Sequence, residues 1–124
     1  IVSEIDETYN ELAGIRLPDI SAPLATYFGW NLRHPNIGAP HLPIGITGGL
    51  AGSTLPLPIN EKEANATNDP RLPISKMYAS KSEYLTKVKM DAMNLINKKH
   101  LLKEDLETIT EHATLKYVDI VEGE

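Results

Sequence analysis

"GIRLPDISAPLATYFGWNLRHP", residues 14–35, holds the chain's only Trp, its only Phe, Tyr27 and three of its prolines. Pro18, Pro23 and Pro35 lack an amide donor and push each preceding residue toward extended geometry, so no regular helix runs through the stretch. Aromatics concentrated on an irregular segment, rather than on a periodic element, point to a surface shaped to lie against something else. The same character continues downstream, because all nine prolines and six of the eight glycines fall within residues 18–73. Leu, Ile and aromatic residues fill that region instead of Ser, Gly and charge, which excludes a flexible linker. A structureless loop of this length is foreign to a compact domain. The expectation is therefore an ordered, extended wrap over 18–72, with no helix beyond a single turn near 23–27.

The flanks read differently. Over 1–17, "IVSEI" and "ELAGIRL" are two short apolar runs separated by the turn residues of "DETYN", which predicts a β-hairpin with Gly14 at a bulge. From 73 onward the spacing turns helical. Pro73 suits the start of a short helix, "PISKMYA", and Ser80-Lys81-Ser82-Glu83 is a capping box. The helix it opens places Leu85, Val88, Ala92 and Leu95 or Ile96 on one stripe, and ends near Lys98-Lys99-His100. A second helix begins at Lys103-Glu104-Asp105 and turns Leu106, Ile109, Ala113, Tyr117 and Ile120 inward. The two form an antiparallel helical hairpin within 73–121. The predicted fold class is α+β: an N-terminal β-hairpin, a long extended Pro/Gly-rich middle and a C-terminal helical hairpin, in one domain spanning 1–124.

Composition bounds the function. At 124 residues, 41% hydrophobic and 23% charged, the chain has the make-up of one globular domain. Aromatics are 6%, so the core is expected to be mainly Leu, Ile, Val and Ala. A net charge of −5 with no basic stripe argues against nucleic acid as a partner. Without cysteine there are no disulfides or thiolate metal sites, and the compartment stays open between secreted or periplasmic and cytoplasmic. No apolar run reaches the ~18 residues of a membrane span. The chain opens Ile1-Val2-Ser3-Glu4 without Met, which suggests an excised domain or proteolytic remnant with any targeting signal upstream.

No motif of known chemistry survives inspection. "GITGGLAGST" (45–54) lacks the Lys of a phosphate loop, and Pro56 and Pro58 forbid the helix that would hold a phosphate, so a tight turn or close backbone packing is expected. His34 and His41 lie seven apart with only Asp19 as an upstream carboxylate, a poor metal set. His100 and His112 read as helix-surface residues. No serine sits in G-x-S-x-G, and Ser80 is a cap. Glu104/Asp105 and Glu107/Glu111 read as solvated charge. Asn65-Ala66-Thr67 matches a glycosylation sequon, which carries weight only in a secretory eukaryotic context. The residues call for no catalytic group, no metal and no cofactor within the chain. What remains is Tyr27, Phe28, Trp30, Asn31, Arg33 and His34, aromatics interleaved with polar tips that suit either an interface or a ligand pocket.

Several strings resemble the C-terminal segment of a bacterial family known as alpha/beta hydrolase domain-containing proteins. They are Gly14-Ile15-Arg16-Leu17-Pro18-Asp19, Pro23-Leu24-Ala25-Thr26-Tyr27 and Gly29-Trp30-Asn31. The likeness continues through Gly52-Ser53-Thr54-Leu55-Pro56-Leu57, Asp69-Pro70-Arg71, Tyr78, Tyr84-Leu85 and Leu101-Leu102, in the family's order. Phe28 departs from it, standing where a small Thr is usual. The resemblance implies that the nucleophile elbow and the rest of the triad lie in a larger hydrolase domain upstream, since no position here matches them. The chain would then be an accessory or lid portion of a serine ester hydrolase, inactive alone, with that domain as partner. Trp30, Asn31 and Arg33 would stand nearest the substrate. Two other functions fit the residues: a non-enzymatic module that dimerises through the apolar wrap, and a small-molecule binding domain with its pocket at Trp30.

Overall fold

The computed structural model describes residues 3–29, 31–32, 43–44 and 52–123. Its strands are short and its helices gather toward the C-terminus, in an α+β arrangement. Among the described residues the strands form two antiparallel two-stranded ladders. In the first, β1 (Ala25–Phe28) lies against β4 (Ser53–Pro56), with Ala25 opposite Pro56 and Phe28 opposite Ser53. In the second, β2 (Asn31–Leu32) lies against β3 (Pro43–Ile44).

The N-terminal hairpin is present in minimal form. A tight turn over 6–10 is closed by one bridge between Ile5 and Glu11 and by the Leu12 amide donating to the Glu4 carbonyl at 3.0 Å. Its returning arm does not extend the ladder: Leu12, Ile15 and Leu17 stay exposed, and Gly14 adopts φ 81°. The reason lies in the turn itself. Asp6 Oδ1 accepts the Thr8 and Asn10 amides at 2.9 and 3.1 Å, so side-chain capping replaces the cross-strand ladder.

Two expectations for the Pro-rich stretch need correction. The single helical turn falls at α1 (Pro18–Ser21), not near 23–27, where the chain is strand β1. A regular helix, α2 (Glu61–Thr67), also forms inside the region read as extended. Its local signals are complete. The Asn60 side chain accepts the Glu63 amide at 3.0 Å, the Glu63 carboxylate accepts the Ile59 amide at 2.9 Å, and Asn68 closes the helix in the left-handed region at φ 52°. Five residues after the end of this helix, Leu72 donates to the Glu7 carbonyl at 3.0 Å, which ties the stretch back to the N-terminal turn.

The C-terminal half follows its periodicity. Pro73 caps α3 (Ile74–Met77), and Ser80 Oγ accepts the Glu83 amide at 3.2 Å to open α4 (Lys81–Asn97). The Glu83 carboxylate accepts the Ala79 amide at 2.9 Å, the same reciprocal arrangement seen at Asn60 and Glu63. The inward stripe of α4 is Tyr84, Val88, Ala92 and Leu95, with Leu85 at its edge. Helix α5 (Asp105–Tyr117) buries Ala113 and Tyr117, and a π-helical segment, Val118–Glu122, continues it. The start of α4 meets the end of this run, where Lys81 pairs with Glu122 at 3.2 Å and lies 5.8 Å from the Tyr117 ring centre, so the two helices are antiparallel.

The core gathers Ala22, Leu24, Leu57, Ile74 and Val88 around three tyrosines. The Tyr84 ring stacks on Tyr117 at 5.4 Å and meets Tyr78 edge-on at 5.2 Å. Such contacts add about 0.5–1.5 kcal/mol each beyond the area they bury. The core is thus more aromatic than overall composition suggests.

Helix α4 ends in a Schellman motif. His100 donates to the Leu95 carbonyl at 2.9 Å and Lys99 to Ile96 at 3.0 Å, with Lys99 at φ 61° where glycine is usual. Lys99→Gly is expected to stabilise the fold by about 0.5–1 kcal/mol. Thermal melting should show it as an upward shift of roughly 2–4 °C.

Candidate functional site

The site begins at β1, the strand that leads to Trp30. Both its edges are occupied. One carries β4. On the other, the buried Asn10 side chain takes the place of a third strand, accepting the Tyr27 amide at 3.0 Å and donating to the Ala25 carbonyl at 2.9 Å. Asn10 also donates to Thr8 Oγ1, whose hydroxyl donates to Asp6 Oδ1, and Arg16 bridges Asp6 to the Ile20 carbonyl. The N-terminal turn is therefore a polar bracket on the strand.

A second bracket crosses the ladder. The Arg71 guanidinium donates to the Leu55 and Pro56 carbonyls, each at 2.9 Å, and to Thr26 Oγ1 at 3.0 Å. Asp69 neutralises it, the closest contact being 2.7 Å. The Thr26 hydroxyl in turn donates to the Thr8 carbonyl, so the two brackets join at Thr26. Gly52 has its own reason here: a Cβ at that position would lie 2.3 Å from the Phe28 carbonyl oxygen, where the strands approach too closely for a side chain. Close backbone packing, expected for the glycine-rich run, is what Gly52 shows; residues 45–51 lie outside the described residues.

These contacts set the charge balance. Burial works to raise the Asp6 carboxyl, but hydrogen bonds from Thr8, Arg16 and the Thr8 and Asn10 amides outweigh it and hold its pKa below 3.8. Arg71 does the same for Asp69, first through its hydrogen bonds. Both carboxylates therefore support the folded state above the ordinary carboxylate range, and that support is lost as pH falls through their lowered values. Urea-unfolding stability is expected to be level between pH 7 and about 5 and to drop below pH 3.8; Asp6→Asn should flatten part of that drop.

Beside β1, Lys116 of α5 donates to Asp19 Oδ1 at 2.5 Å and to the Tyr27 hydroxyl at 3.0 Å, its ammonium lying 5.3 Å from the Tyr27 ring centre. Burial works against the ammonium, but these bonds prevail and hold its pKa above 10.5. The trio borders an open cleft of about 410 Å³ with Thr54, His112 and Leu115. The arrangement can seat a polar group beside an aromatic face.

Of the residues expected to meet substrate, Trp30 and Arg33 lie outside the described residues, as do His34 and His41. Asn31 opens β2, with its backbone opposite Ile44. Sequence reasoning missed Lys116 and gave Tyr27 no partner; they stand 89 residues apart, and no local spacing links them. A signal did exist for the rest. Asp19, Tyr27, Thr26 and Arg71 all belong to strings that carry the family resemblance, and in space those strings meet.

Ser21 donates to Asp91 at 2.8 Å, fastening α1 to α4. Among the described residues no group of three or more His, Asp or Glu side chains could hold a metal ion, and no helix is long and apolar enough to cross a membrane.

A family model described as an alpha/beta hydrolase domain matches residues 2–111, and the chain belongs to that family. No curated protein and no solved structure matches it.

Proposed function

We propose that the chain is the C-terminal accessory or lid portion of a serine ester hydrolase and carries no catalytic triad itself. Nucleophile, His and acid would come from an upstream hydrolase domain of the same polypeptide, acting with an oxyanion hole on a carboxylic ester. Trp30, Asn31 and Arg33 would stand at the approach to that site. The observation that carries this reading is the family match combined with the antiparallel two-stranded ladders seen among the described residues, since a nucleophile elbow requires a strand–turn–helix unit in a larger sheet and the sequence has no G-x-S-x-G.

The N-terminal surface supports it. Ile5, Tyr9, Leu12, Ile15 and Leu17 are all exposed large hydrophobic residues within thirteen positions of the chain. The turn within this stretch, residues 6–10, is stiffened by the Asp6–Asn10 hydrogen bonds, and Tyr9 in it is held at φ 64°, a costly conformation for a bulky residue. A rigid apolar face suits docking on a larger domain.

The test is esterase activity on p-nitrophenyl esters. The chain alone is expected to give no turnover above buffer, while a polypeptide that includes the upstream domain hydrolyses them. Equal rates for the two would overturn the accessory reading. Light scattering separates the dimerisation alternative: a monomer at high concentration removes it, and a stable dimer formed through the apolar wrap around Trp30 would replace the lid reading.

A further inference from the structure

Among the described residues one buried side-chain polar atom lacks a hydrogen-bond partner, Nε of Arg16. The same guanidinium is otherwise held, since its Nη2 donates to Asp6 Oδ2 and to the Ile20 carbonyl at 3.1 Å. A buried N–H of a cation left unpaired is costly and calls for an acceptor. The nearby carboxylates are already engaged. Asp6 Oδ1 accepts from Thr8 and Asn10. Arg16 lines an open cleft of about 350 Å³ between the N-terminal arm, α1 and the end of α4, and the one carboxylate lining it among the described residues is Asp91. That carboxylate accepts from Ser21 at 2.8 Å through one oxygen and from Lys87 at 3.1 Å through the other.

The other polar side chains of the cleft are Ser21, Asn94, Lys98 and His100, and Ile15 and Leu95 add apolar wall. Its charges do not cancel. Arg16 is balanced by Asp6, and Asp91 by Lys87. Lys98 forms no ion pair among the described residues, so a single ammonium is left over in a chain whose net charge is −5. We infer that the cleft binds a short-chain carboxylate, with its anionic end between Arg16 and Lys98 and its tail against Ile15 and Leu95. Arg16 Nε needs an acceptor and Lys98 needs a negative charge, and one carboxylate supplies both. A neutral amide would answer Nε and leave Lys98 unpaired. An ammonium would offer Nε no acceptor and be repelled by Lys98. A phosphate dianion would exceed the one spare charge and meet Asp91. Nε is covered as it stands, but a quarter of the Arg16 side chain is exposed, and a turn about its outer torsions carries the N–H to the anion.

The probes are butyrate, butyramide, butylamine and inorganic phosphate, titrated into the chain at fixed ionic strength while NMR follows the Arg16 Nε–H resonance. Butyrate is expected to bind about tenfold more tightly than butyramide or phosphate. It should also move the Nε–H signal downfield as a charge-assisted hydrogen bond forms, whereas butylamine leaves that signal in place. Lys98→Gln changes an exposed side chain that has no ion pair to lose; it should weaken butyrate by about threefold to fivefold and leave butyramide unchanged. The proposal falls if butyrate binds no better than butyramide, if phosphate matches it, or if the Nε–H signal stays put as butyrate saturates the chain. It falls equally if Lys98→Gln binds butyrate as the unaltered chain does. None of these outcomes depends on the esterase reading.

Discussion

Arg71→Met is expected to lower the unfolding free energy by about 3–5 kcal/mol, the cost of stranding one member of a nearly buried ion pair. Arg71 side-chain exposure is 13% and that of Asp69 is 17%, so little solvent is available to compensate. The loss has three parts. The Leu55 and Pro56 carbonyls lose their donor, Thr26 loses one partner, and the Asp69 carboxylate loses the charge that lowers its pKa. For a domain of this length the whole stability is roughly 6–18 kcal/mol, so a large share would go in one substitution. Urea titration is the measurement. Asp69→Asn should cost less by itself, and the double variant should cost less than the sum of the two, because the pair acts as a unit. Additive costs would show that Arg71 does not clamp the ladder through Asp69.

Asn10→Ala is the second large effect, with an expected cost of roughly 2–6 kcal/mol from two buried backbone groups left without partners. The Tyr27 amide and the Ala25 carbonyl both depend on that one side chain. Asn10 itself is only 1% exposed, so water cannot replace it without opening the turn. Asn10→Asp offers a finer reading: it keeps an acceptor for the Tyr27 amide, loses the donors, and adds a buried charge, so it too should destabilise. Hydrogen exchange would locate the damage. The Tyr27 amide should lose protection in Asn10→Ala while the α4 amides near Val88 keep theirs at matched global stability.

The C-terminal half was legible because its information is local. A capping box at Ser80–Glu83 and a 3.6-residue stripe need no partner to be recognised, and α4 begins where that box places it. Val88, Ala92 and Leu95 are buried as the stripe predicts, and only its first place differs: Tyr84 is buried there, with Leu85 partly buried beside it. What selects Tyr84 is its stack on Tyr117, a contact across 33 residues. Helix α2 was legible in principle and was masked by composition. Asn60-Glu61-Lys62-Glu63 is a capping box as good as the one at Ser80, but it stands in a region where proline dominates the reading. The site was less legible still. Lys116 meets Asp19 across 97 residues, and nothing in the periodicity of α5 marks that lysine apart from its neighbours. Only the family strings hinted that Asp19, Thr26, Tyr27 and Arg71 belong together, and they did so without saying how.

Hydroxyl-radical footprinting tests the accessory role most directly. Oxidation would be compared between the isolated chain and the same chain joined to the proposed upstream hydrolase domain. The N-terminal face is expected to be protected on joining, with Tyr9, Leu12, Ile15 and Leu17 losing most of their reactivity. Met90 and Met93, exposed on the outer side of α4, are expected to react equally in both and serve as the internal control. Undiminished oxidation of that face in the joined protein would contradict the account.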